Sequence, residues 1–318
     1  MDRTDRPETA ADLNTLPLPE LAAGFLANGH IRQLMILARD EDLGNPMRDV
    51  TGELMFDKRD ERCVRMVMRE PGVVAGLAFL DEIVDVFTAT REPVGVSLRA
   101  HDGDVVDSGA VLLEMSGNAR AIVRIERTML NLISRMSGIA TMTKRYVDLV
   151  EGTGVKICDT RKTTPGHRLI EKYSVRCGGG TTHRVGLFDA VLIKDNHIAG
   201  LGDEQLGARL QHAAQRARDG GNELWFVQVE VDRLEQLERV LKLPCGLIDM
   251  VLLDNMEPQM LSEAVAMRAA SGSEVLLEAS GGVNEQTVRP IALTGVDRIS
   301  IGGLTHQAVS LDIGLDTV

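Results

Sequence analysis

The chain has 318 residues and a formal net charge of −12, and 44% of its residues are hydrophobic while only 3% are aromatic. This length suits one large globular domain or two ordinary ones, and the negative charge with few aromatic side chains argues against nucleic acid binding. No apolar run approaches the ~18 residues that a membrane span requires, and the N-terminus has no apolar signal core, so we expect a cytoplasmic protein that does not bind membranes.

The first half of the chain predicts a mixed α/β region. Residues 1–20 are polar and contain proline, which predicts a flexible tail. Apolar residues recur at helical spacing over 20–40, which predicts a helix or a helix pair. Residues 51–118 combine short strands with a helix at 80–87 and indicate a small α+β sheet domain. The apolar spacing over 121–150 predicts long amphipathic helices.

The second half has a regular alternation of apolar strand-like runs and helical stretches. Such alternation predicts a parallel sheet, and strands without polar alternation are covered on both faces. We therefore expect an incomplete α/β barrel, with an open doubly wound sheet as the alternative. The predicted strands are 155–158, 190–193, 224–229, 250–253, 275–277 and 299–301.

One segment of this acidic chain is strongly basic. Residues 156–197 contain eight Lys or Arg and four Asp or Glu, so the segment is formally +4. A local concentration of positive charge focuses anions. In α/β barrels the active site lies where the strands end, and each of the predicted strands leads into a charged residue or a glycine-rich turn. The pattern therefore predicts an anion-binding site at this edge of the sheet.

The basic candidates divide by side-chain chemistry. A guanidinium group binds a planar carboxylate through two hydrogen bonds, so Arg127, Arg161 and Arg184 suit a dicarboxylate. Lys162 and Lys194 suit phosphates, for which a point charge is sufficient. An imine-forming role for Lys194 is disfavoured, because neighbouring carboxylates would keep its amine protonated.

Two carboxylates and one histidine complete the polar candidates. Glu230 and Asp254 follow adjacent predicted strands and would serve either as Mg²⁺ ligands and acceptors for sugar hydroxyls or as structural ion-pair partners. His183, next to Arg184, is a candidate for ligand contact. Glycines in turns after consecutive strands let backbone N–H groups approach a phosphate, and the candidates are Ser280, Gly281, Gly282, Gly302 and Gly303.

An ordered series of short motifs over about residues 30–312 resembles the quinolinate phosphoribosyltransferases, also called carboxylating nicotinate-nucleotide pyrophosphorylases. The motifs are EDLG (41–44), REPGVVAG (69–76), ERTMLN (126–131), SGIAT (137–141), DTRKT (159–163), GGGTTHR (178–184), LIKDNH (192–197), VEV (229–231), LDNM (253–256), EASGG (278–282) and IGGLTH (301–306).

The resemblance implies a type II phosphoribosyltransferase-like fold. In it, an N-terminal α/β sandwich domain (21–130, joined by 305–318) precedes a seven-stranded, incomplete α/β barrel (131–304). It implies a homodimer or higher homo-oligomer whose active site is shared between subunits. The implied reaction converts quinolinate and phosphoribosyl pyrophosphate to nicotinate mononucleotide, pyrophosphate and carbon dioxide with Mg²⁺, a step of NAD biosynthesis.

The resemblance also implies a role for each candidate residue. Arg127, Arg161, His183 and Arg184 would hold quinolinate, helped by Arg69 of a neighbouring subunit. The residues implied for phosphates are Lys162, Lys194 and His306, and those for the 5′-phosphate are Ser280, Gly281, Gly282, Gly302 and Gly303. Glu230 and Asp254 would contact the metal and the ribose hydroxyls and, with Lys162 and Lys194, form the catalytic set.

Two other functions fit parts of this pattern. A related phosphoribosyltransferase acting on another base, such as the paralogue of molybdenum transport operons, would not need every arginine that suits two carboxylates. A non-catalytic protein that binds phosphorylated metabolites would not need Glu230, Asp254, Lys162 and Lys194 together.

Overall fold

A computed structural model of the chain describes residues 12–88, 92–198, 200, 202–220 and 224–318. The predicted tail lies outside the described residues over 1–11, and its last residues, from Leu18, belong to the first helix. The helices are α1 (Leu18–Ala27), α2 (His30–Leu43), α3 (Val50–Met55), α4 (Leu80–Phe87), α5 (Ala119–Leu149), α6 (Arg168–Cys177), α7 (Asp195–Ile198), α8 (Asp203–Asp219), α9 (Leu234–Leu241), α10 (Pro258–Ser271), α11 (Val288–Ala292) and α12 (Gly303–His306).

The strands form two larger sheets and one short pair. They are β1 (Glu61–Met68), β2 (Gly72–Val73), β3 (Val94–Leu98), β4 (Val105–Val106), β5 (Val111–Asn118), β6 (Lys156–Cys158), β7 (Val191–Ile193), β8 (Val227–Val231), β9 (Met250–Asp254), β10 (Leu276–Ser280), β11 (Arg298–Ser300) and β12 (Ile313–Thr317).

The described residues divide into two compact units that alternate along the chain. The antiparallel-sheet unit comprises 16–144, 163–179 and 304–318, and the parallel-sheet unit comprises 12–15, 145–162 and 180–303. Helix α5 runs through the domain boundary expected between 130 and 131. The division into domains at 20, 130 and 304 stays a prediction.

The antiparallel-sheet unit contains a four-stranded sheet in the order β12-β1-β5-β3. Its strands β1 and β5 and its 31-residue helix α5 supply fully buried side chains, namely Met66, Met115, Ile125, Met129 and Ile133. Burying each of these stabilises the fold by roughly 1.5–3 kcal/mol. The C-terminal strand β12 pairs antiparallel with β1, so residues distant in sequence complete this sheet.

Helix α5 contains a glycine that its packing requires. A Cβ at Gly138 would overlap the carbonyl oxygen of Val309. Glycine inside a helix costs about 0.5–1 kcal/mol relative to alanine, and here the close approach of two backbones accounts for it. Where the sequence predicted long helices over 121–150, the structure has this single helix.

The parallel-sheet unit contains six parallel strands in the order β6-β11-β10-β9-β8-β7. An isolated parallel bridge between Cys158 and Thr181 extends the sheet beyond β6. The strands from β7 to β11 follow one another without the reversal of order that marks a doubly wound sheet, and β6 pairs with the last of them. The α/β class, with an N-terminal sheet and a parallel barrel-type sheet, is thus confirmed, with six strands and one bridge in the described chain.

Two predicted strands are displaced in the structure. The third was expected over 224–229 and is β8, and the fifth was expected over 275–277 and is β10. Pairing with β9 decides both positions, because Gln228 and Leu276 each lie opposite Met250. Glu230 consequently lies within a strand and not after it. None of the helices in the described part of the chain is long and apolar enough to span a bilayer.

Candidate active site

The candidate site is built at the carboxyl ends of the parallel strands. Asp254 is the last residue of β9 and lies in register with Ser280, the last residue of β10, which in turn lies opposite Ser300 of β11. On the other side, Ile193 of β7 lies opposite Val229 of β8. Because parallel strands end at the same edge of a sheet, the functional groups that follow them share this edge.

Lys194 and Glu230 form an ion pair at this edge. The Lys194 Nζ donates a hydrogen bond to Glu230 Oε2 over 2.8 Å, and the Glu230 side chain is only 10% exposed. A buried carboxylate requires such a partner, since an unpaired buried charge is very costly. The Lys194 ammonium is thus held in an ion pair, whereas imine formation requires a free amine.

Asp254 lies within electrostatic range of the other three predicted catalytic residues. Burial raises the pKa of its carboxyl group, and the negative charge of Glu230 raises it further. A hydrogen bond from Asn255 and the positive charges of Lys194 and Lys162 oppose this increase. The structure therefore brings Lys162, Lys194, Glu230 and Asp254 together, although they lie up to 92 positions apart in the sequence.

The two carboxylates leave room for a cation. Glu230 and Asp254 line a pocket of about 290 Å³, together with Asp232. The negative charges of Glu230 and Asp254 repel each other, and a cation bound between them would relieve that repulsion. Two carboxylates are a donor set that fits Mg²⁺, which takes its remaining oxygen ligands from water and phosphates.

The loops after β9 and β10 interlock at the glycine pair. Asn255 has a left-handed backbone, with φ of 54°, and its N–H donates to the carbonyl of Ser280 over 2.8 Å. Gly281 has φ of 96°, and a Cβ there would overlap the Asn255 side chain and lie 3.0 Å from its backbone nitrogen. Gly282 has φ of 60° and faces open space, so a ligand can approach its backbone. After β11, Gly302 forms the turn and Gly303 is the first residue of α12.

Two arginines form a second cationic feature of the parallel-sheet unit. Burial lowers the pKa of Arg184, the nearby positive charge of Arg161 lowers it further, and Asp189 opposes both. The Nε atom of Arg161 is buried and has no hydrogen-bond partner among the described residues. Neither arginine forms an ion pair with any of the described residues. An anion bound between Arg161 and Arg184 would offset the repulsion between their positive charges.

Asp189 is held by the backbone and not by these arginines. Its two carboxylate oxygens accept hydrogen bonds from the N–H groups of Val185 and Gly186, over 2.6 and 2.9 Å. Arg184 itself donates to the carbonyl of Ala190 over 3.2 Å. The loop after Arg184 is thus closed on itself, and the guanidinium charge stays available.

His183 is buried, and the protein already contacts both of its ring nitrogens. Its Nδ1 accepts a hydrogen bond from the backbone N–H of Arg184 over 2.8 Å, and its Nε2 lies 2.7 Å from Gln228 Oε1. The His183 backbone N–H donates to Asp159 Oδ1 over 2.7 Å. Glu278 Oε1 lies 3.6 Å from the same Nε2 atom.

Sequence reasoning did not select Asp159, Gln228 or Glu278 as site residues. A signal was present, because polar residues recur at every second position of otherwise apolar strands, as in Gln228 and Glu230 of β8. Residues two apart in a strand share a face of the sheet, so this spacing indicates one polar face.

Three further candidates belong to the antiparallel-sheet unit and not to the unit that contains the residues described above. Arg69 is partly exposed and pairs with Asp316 of β12. Arg127 lies on the exposed face of α5 and lines a surface pocket with Arg48, Arg62, Arg124 and other residues. His306 is the exposed last residue of α12. The roles expected for these three residues stay predictions.

Comparison with known proteins decides the family. The model of the quinolinate phosphoribosyl transferase C-terminal domain matches residues 139–316, and that of the N-terminal domain matches residues 49–137. The chain belongs to the quinolinate phosphoribosyltransferase family. The resemblance expected from the motifs is therefore confirmed.

Individual relatives agree with this family assignment. The nicotinate-nucleotide pyrophosphorylase [carboxylating] of Mycobacterium leprae is 45% identical, over 79% of this chain and 84% of its own length. A probable nicotinate-nucleotide pyrophosphorylase [carboxylating] of Bacillus subtilis is 38% identical, over 87% of this chain and 89% of its own.

Solved structures of the family share the fold. The nicotinate-nucleotide pyrophosphorylase from Francisella tularensis has a TM-score of 0.79 and 32% identity, covering 97% of this chain and all of its own. The structure from Ehrlichia chaffeensis has a TM-score of 0.77 and 39% identity, covering 90% of this chain and 98% of its own.

Proposed function

We propose that this chain transfers the phosphoribosyl group of phosphoribosyl pyrophosphate to the ring nitrogen of quinolinate, with decarboxylation, to give nicotinate mononucleotide, pyrophosphate and carbon dioxide. The reaction is that of the family to which the chain belongs, and it makes the chain a pentosyltransferase of NAD biosynthesis. The observation that carries the proposal is the pair Arg161 and Arg184 in the same compact unit as the cluster of Lys162, Lys194, Glu230 and Asp254.

Quinolinate is assigned to the arginine pair. Its two adjacent carboxylates match two guanidinium groups that lack carboxylate partners in the described protein. His183 lies directly beside Arg184 and would add a contact. Arg127, and Arg69 of a neighbouring subunit, are further proposed contacts.

The phosphoribosyl donor is assigned to the glycine turns and to the carboxylate cluster, the name we give to Glu230 and Asp254 with the neighbouring Lys162 and Lys194. Lys162 and Lys194, with His306, would neutralise the pyrophosphate. The backbone around Gly282 is open for the 5′-phosphate, as expected for glycine turns that end barrel strands. The 5′-phosphate contacts that we propose are Ser280, Gly281, Gly282, Gly302 and Gly303.

Glu230 and Asp254 are proposed to hold Mg²⁺ through their carboxylate oxygens, with the rest of the coordination supplied by substrate and water. When bound, the ion supplies charge neutralisation for the departing pyrophosphate. Glu230 would also stabilise the positive charge that develops at the sugar carbon, since a preorganised negative group acts most strongly in a partly buried site.

The bond changes need no protein nucleophile. The bond from sugar C1 to pyrophosphate oxygen breaks with its electron pair on oxygen, and the ring nitrogen of quinolinate forms the new bond to C1. The ring nitrogen then carries a positive charge. This charge stabilises the electron pair left on the ring when the neighbouring carboxylate departs as carbon dioxide, and a proton replaces it. Lys162 and Lys194 favour the first step because they stabilise pyrophosphate.

A homodimer or higher homo-oligomer is proposed as the active form. Four exposed apolar side chains lie on or near α3, namely Met47, Val50, Leu54 and Met55, and exposed apolar side chains grouped in one short segment support self-association. If subunits share a site, an inactive Arg69→Ala chain mixed with an inactive Lys194→Ala chain regains activity after subunit exchange. Confirmed exchange without recovery would show that each site is built from one chain.

Product analysis tests the activity. The protein is mixed with quinolinate, phosphoribosyl pyrophosphate and Mg²⁺, and we expect nicotinate mononucleotide and carbon dioxide in equal amounts. Nicotinic acid in place of quinolinate is the control for the second carboxylate and should give no product. Absence of product with quinolinate would favour a binding protein, and product only from another base would favour a related phosphoribosyltransferase.

A further inference from the structure

Below the carboxylate cluster, the parallel sheet contains a set of polar side chains that the reaction described above does not use. We call this set the floor network, and its members are Cys158, His183, Gln228, Glu278 and Arg298. Cys158, Gln228 and Glu278 are fully buried, and His183 is 4% exposed. Buried polar groups are costly unless they are paired, so a network of this size needs a physical reason.

The register of the strands places the network directly under the site. Gln228 precedes Glu230 by two residues in β8, and Glu278 precedes Ser280 by two residues in β10. Side chains two apart point to the same face of a sheet. Gln228, Glu278 and Arg298 therefore lie on the face that carries Glu230 and Asp254, one step further from the strand ends.

Arg298 balances the charge of Glu278. Its Nε donates to Glu278 Oε2 over 2.9 Å, and another guanidinium nitrogen lies 2.7 Å from Cys158 Sγ. Burial alone would raise the pKa of Glu278, but nearby groups, among them the positively charged Arg298, lower it below its ordinary value. Glu278 is thus a carboxylate in the interior of the sheet, with its second oxygen directed at His183.

His183 connects this network to both arginines of the quinolinate side. The His183 Nδ1 accepts a hydrogen bond from the backbone N–H of Arg184. The backbone N–H of His183 donates to the side chain of Asp159, which lies two residues before Arg161. Because Nδ1 is an acceptor, the neutral ring carries its proton on Nε2. Gln228 Oε1, at 2.7 Å, is then the group that accepts this proton and fixes the orientation of the ring.

We propose that Gln228 is a positioning residue for the diacid-binding arginines: through its hydrogen bond to His183 it sets the backbone that carries Arg184. The negative charge of Glu278 acts in the same direction as Gln228, because it favours the His183 tautomer that carries its proton on Nε2. Gln228 does not contact the substrates in this proposal. The inference rests on the proposed function, because it assigns the arginines to the diacid.

The test compares two substitutions of equal length in the full-length enzyme. Gln228→Met removes the acceptor, whereas Gln228→Glu retains an oxygen at the same place. We expect Gln228→Met to raise the KM for quinolinate about tenfold, the effect of one hydrogen bond on position, with the KM for phosphoribosyl pyrophosphate changed less than about twofold. Gln228→Glu should restore the quinolinate KM to within about threefold of the wild-type value at neutral pH.

A matched control separates positioning from general destabilisation. Arg218 pairs with Asp249 next to the opposite ends of the same strands, and Arg218→Leu should lower the melting temperature without separating the two KM values. An unchanged quinolinate KM in Gln228→Met, or equal changes in both KM values, would overturn the proposal. If Gln228→Met fails to fold, Gln228→Asn, which shortens the acceptor, should give the same separation, and equal KM changes there would also overturn it. A wild-type protein that forms no nicotinate mononucleotide would refute the proposed function itself, which is a distinct outcome.

Discussion

The two halves of the candidate site neutralise their charges in different ways. On the side of the phosphoribosyl donor, Lys194 and Glu230 form an ion pair. Asp254 lies within electrostatic range of both these residues and of Lys162. On the quinolinate side, Arg161 and Arg184 repel each other and have no carboxylate partner among the described residues. The charges of the first half are paired before any ligand binds, whereas in the second half Asp189 only partly offsets the two guanidinium charges.

This difference indicates what each half contributes. Cations that lack a partner give binding energy directly to a dianion, because no existing ion pair has to break. A balanced cluster gives little to affinity but stabilises charge that develops during the reaction. Substitutions in the two halves should therefore separate binding from catalysis.

The largest effect is expected for Arg161→Ala. Removing one guanidinium from the pair should weaken quinolinate binding at least about 100-fold, since charged hydrogen bonds to a carboxylate are strong, while phosphoribosyl pyrophosphate still binds. Isothermal titration measures both affinities. Arg289→Ala is the control, because this exposed arginine of α11 donates, among the residues that the structure describes, only to backbone carbonyls. Undiminished quinolinate affinity in Arg161→Ala would contradict the assignment.

A smaller effect on binding and a large one on turnover are expected for Glu230→Gln. The substitution retains the shape of the side chain and leaves Lys194 without its carboxylate. We expect kcat to fall about 100-fold, as for the loss of one preorganised electrostatic group, with the Kd for quinolinate within about threefold of wild type. Steady-state kinetics and titration give the two values. A change mainly in quinolinate affinity would remove the distinction between the halves.

The titration of Asp254 sharpens the comparison. Its raised pKa means that the carboxylate is lost at a higher pH than for an ordinary aspartate as the solution is acidified. Glu230→Gln removes a charge that raises this pKa and should lower it, whereas Lys162→Met removes a charge that lowers it and should raise it. Carbon-13 NMR of labelled aspartate follows the side-chain carbon directly. Shifts of the opposite sign would show that the four groups are not coupled as described.

The smallest effect is expected at the glycine pair. Gly281→Ala introduces a Cβ against Asn255 at a left-handed φ, and it should destabilise the fold by about 1–3 kcal/mol and weaken phosphoribosyl pyrophosphate binding. Gly282→Ala is the matched variant, because Gly282 also has a positive φ but faces open space, and the substitution should cost only about 1 kcal/mol. Equal losses of thermal stability in both variants would argue against the interlocked loops.

The sequence predicted the parts of the molecule that local pattern controls. The helix at 80–87, the strand at 250–253 and the cationic segment around Arg184 were all found from spacing and charge, and the motif series identified the family. The predicted strand bounds were wrong where pairing with a neighbouring strand decides them, as in β8. The pairing partners are distant in sequence, so local pattern does not show them.

The floor network shows the same limit within the site. Gln228 and Glu278 are 50 positions apart, and only the register of β8, β9 and β10 brings them to one His183 ring. The alternation of polar residues within β8 and β10 was visible, but a single strand does not show which buried histidine it serves. The expected roles of Arg69 and His306 depend on contacts beyond one compact unit and stay predictions.

The most direct test of the central claim uses quinolinate labelled with carbon-14 in the carboxylate next to the ring nitrogen. With wild-type protein, phosphoribosyl pyrophosphate and Mg²⁺, we expect one labelled carbon dioxide for each nicotinate mononucleotide formed, and no label in the nucleotide. Label retained in a nucleotide product, or carbon dioxide released without phosphoribosyl pyrophosphate, would contradict a decarboxylation that follows ribosyl transfer at this site.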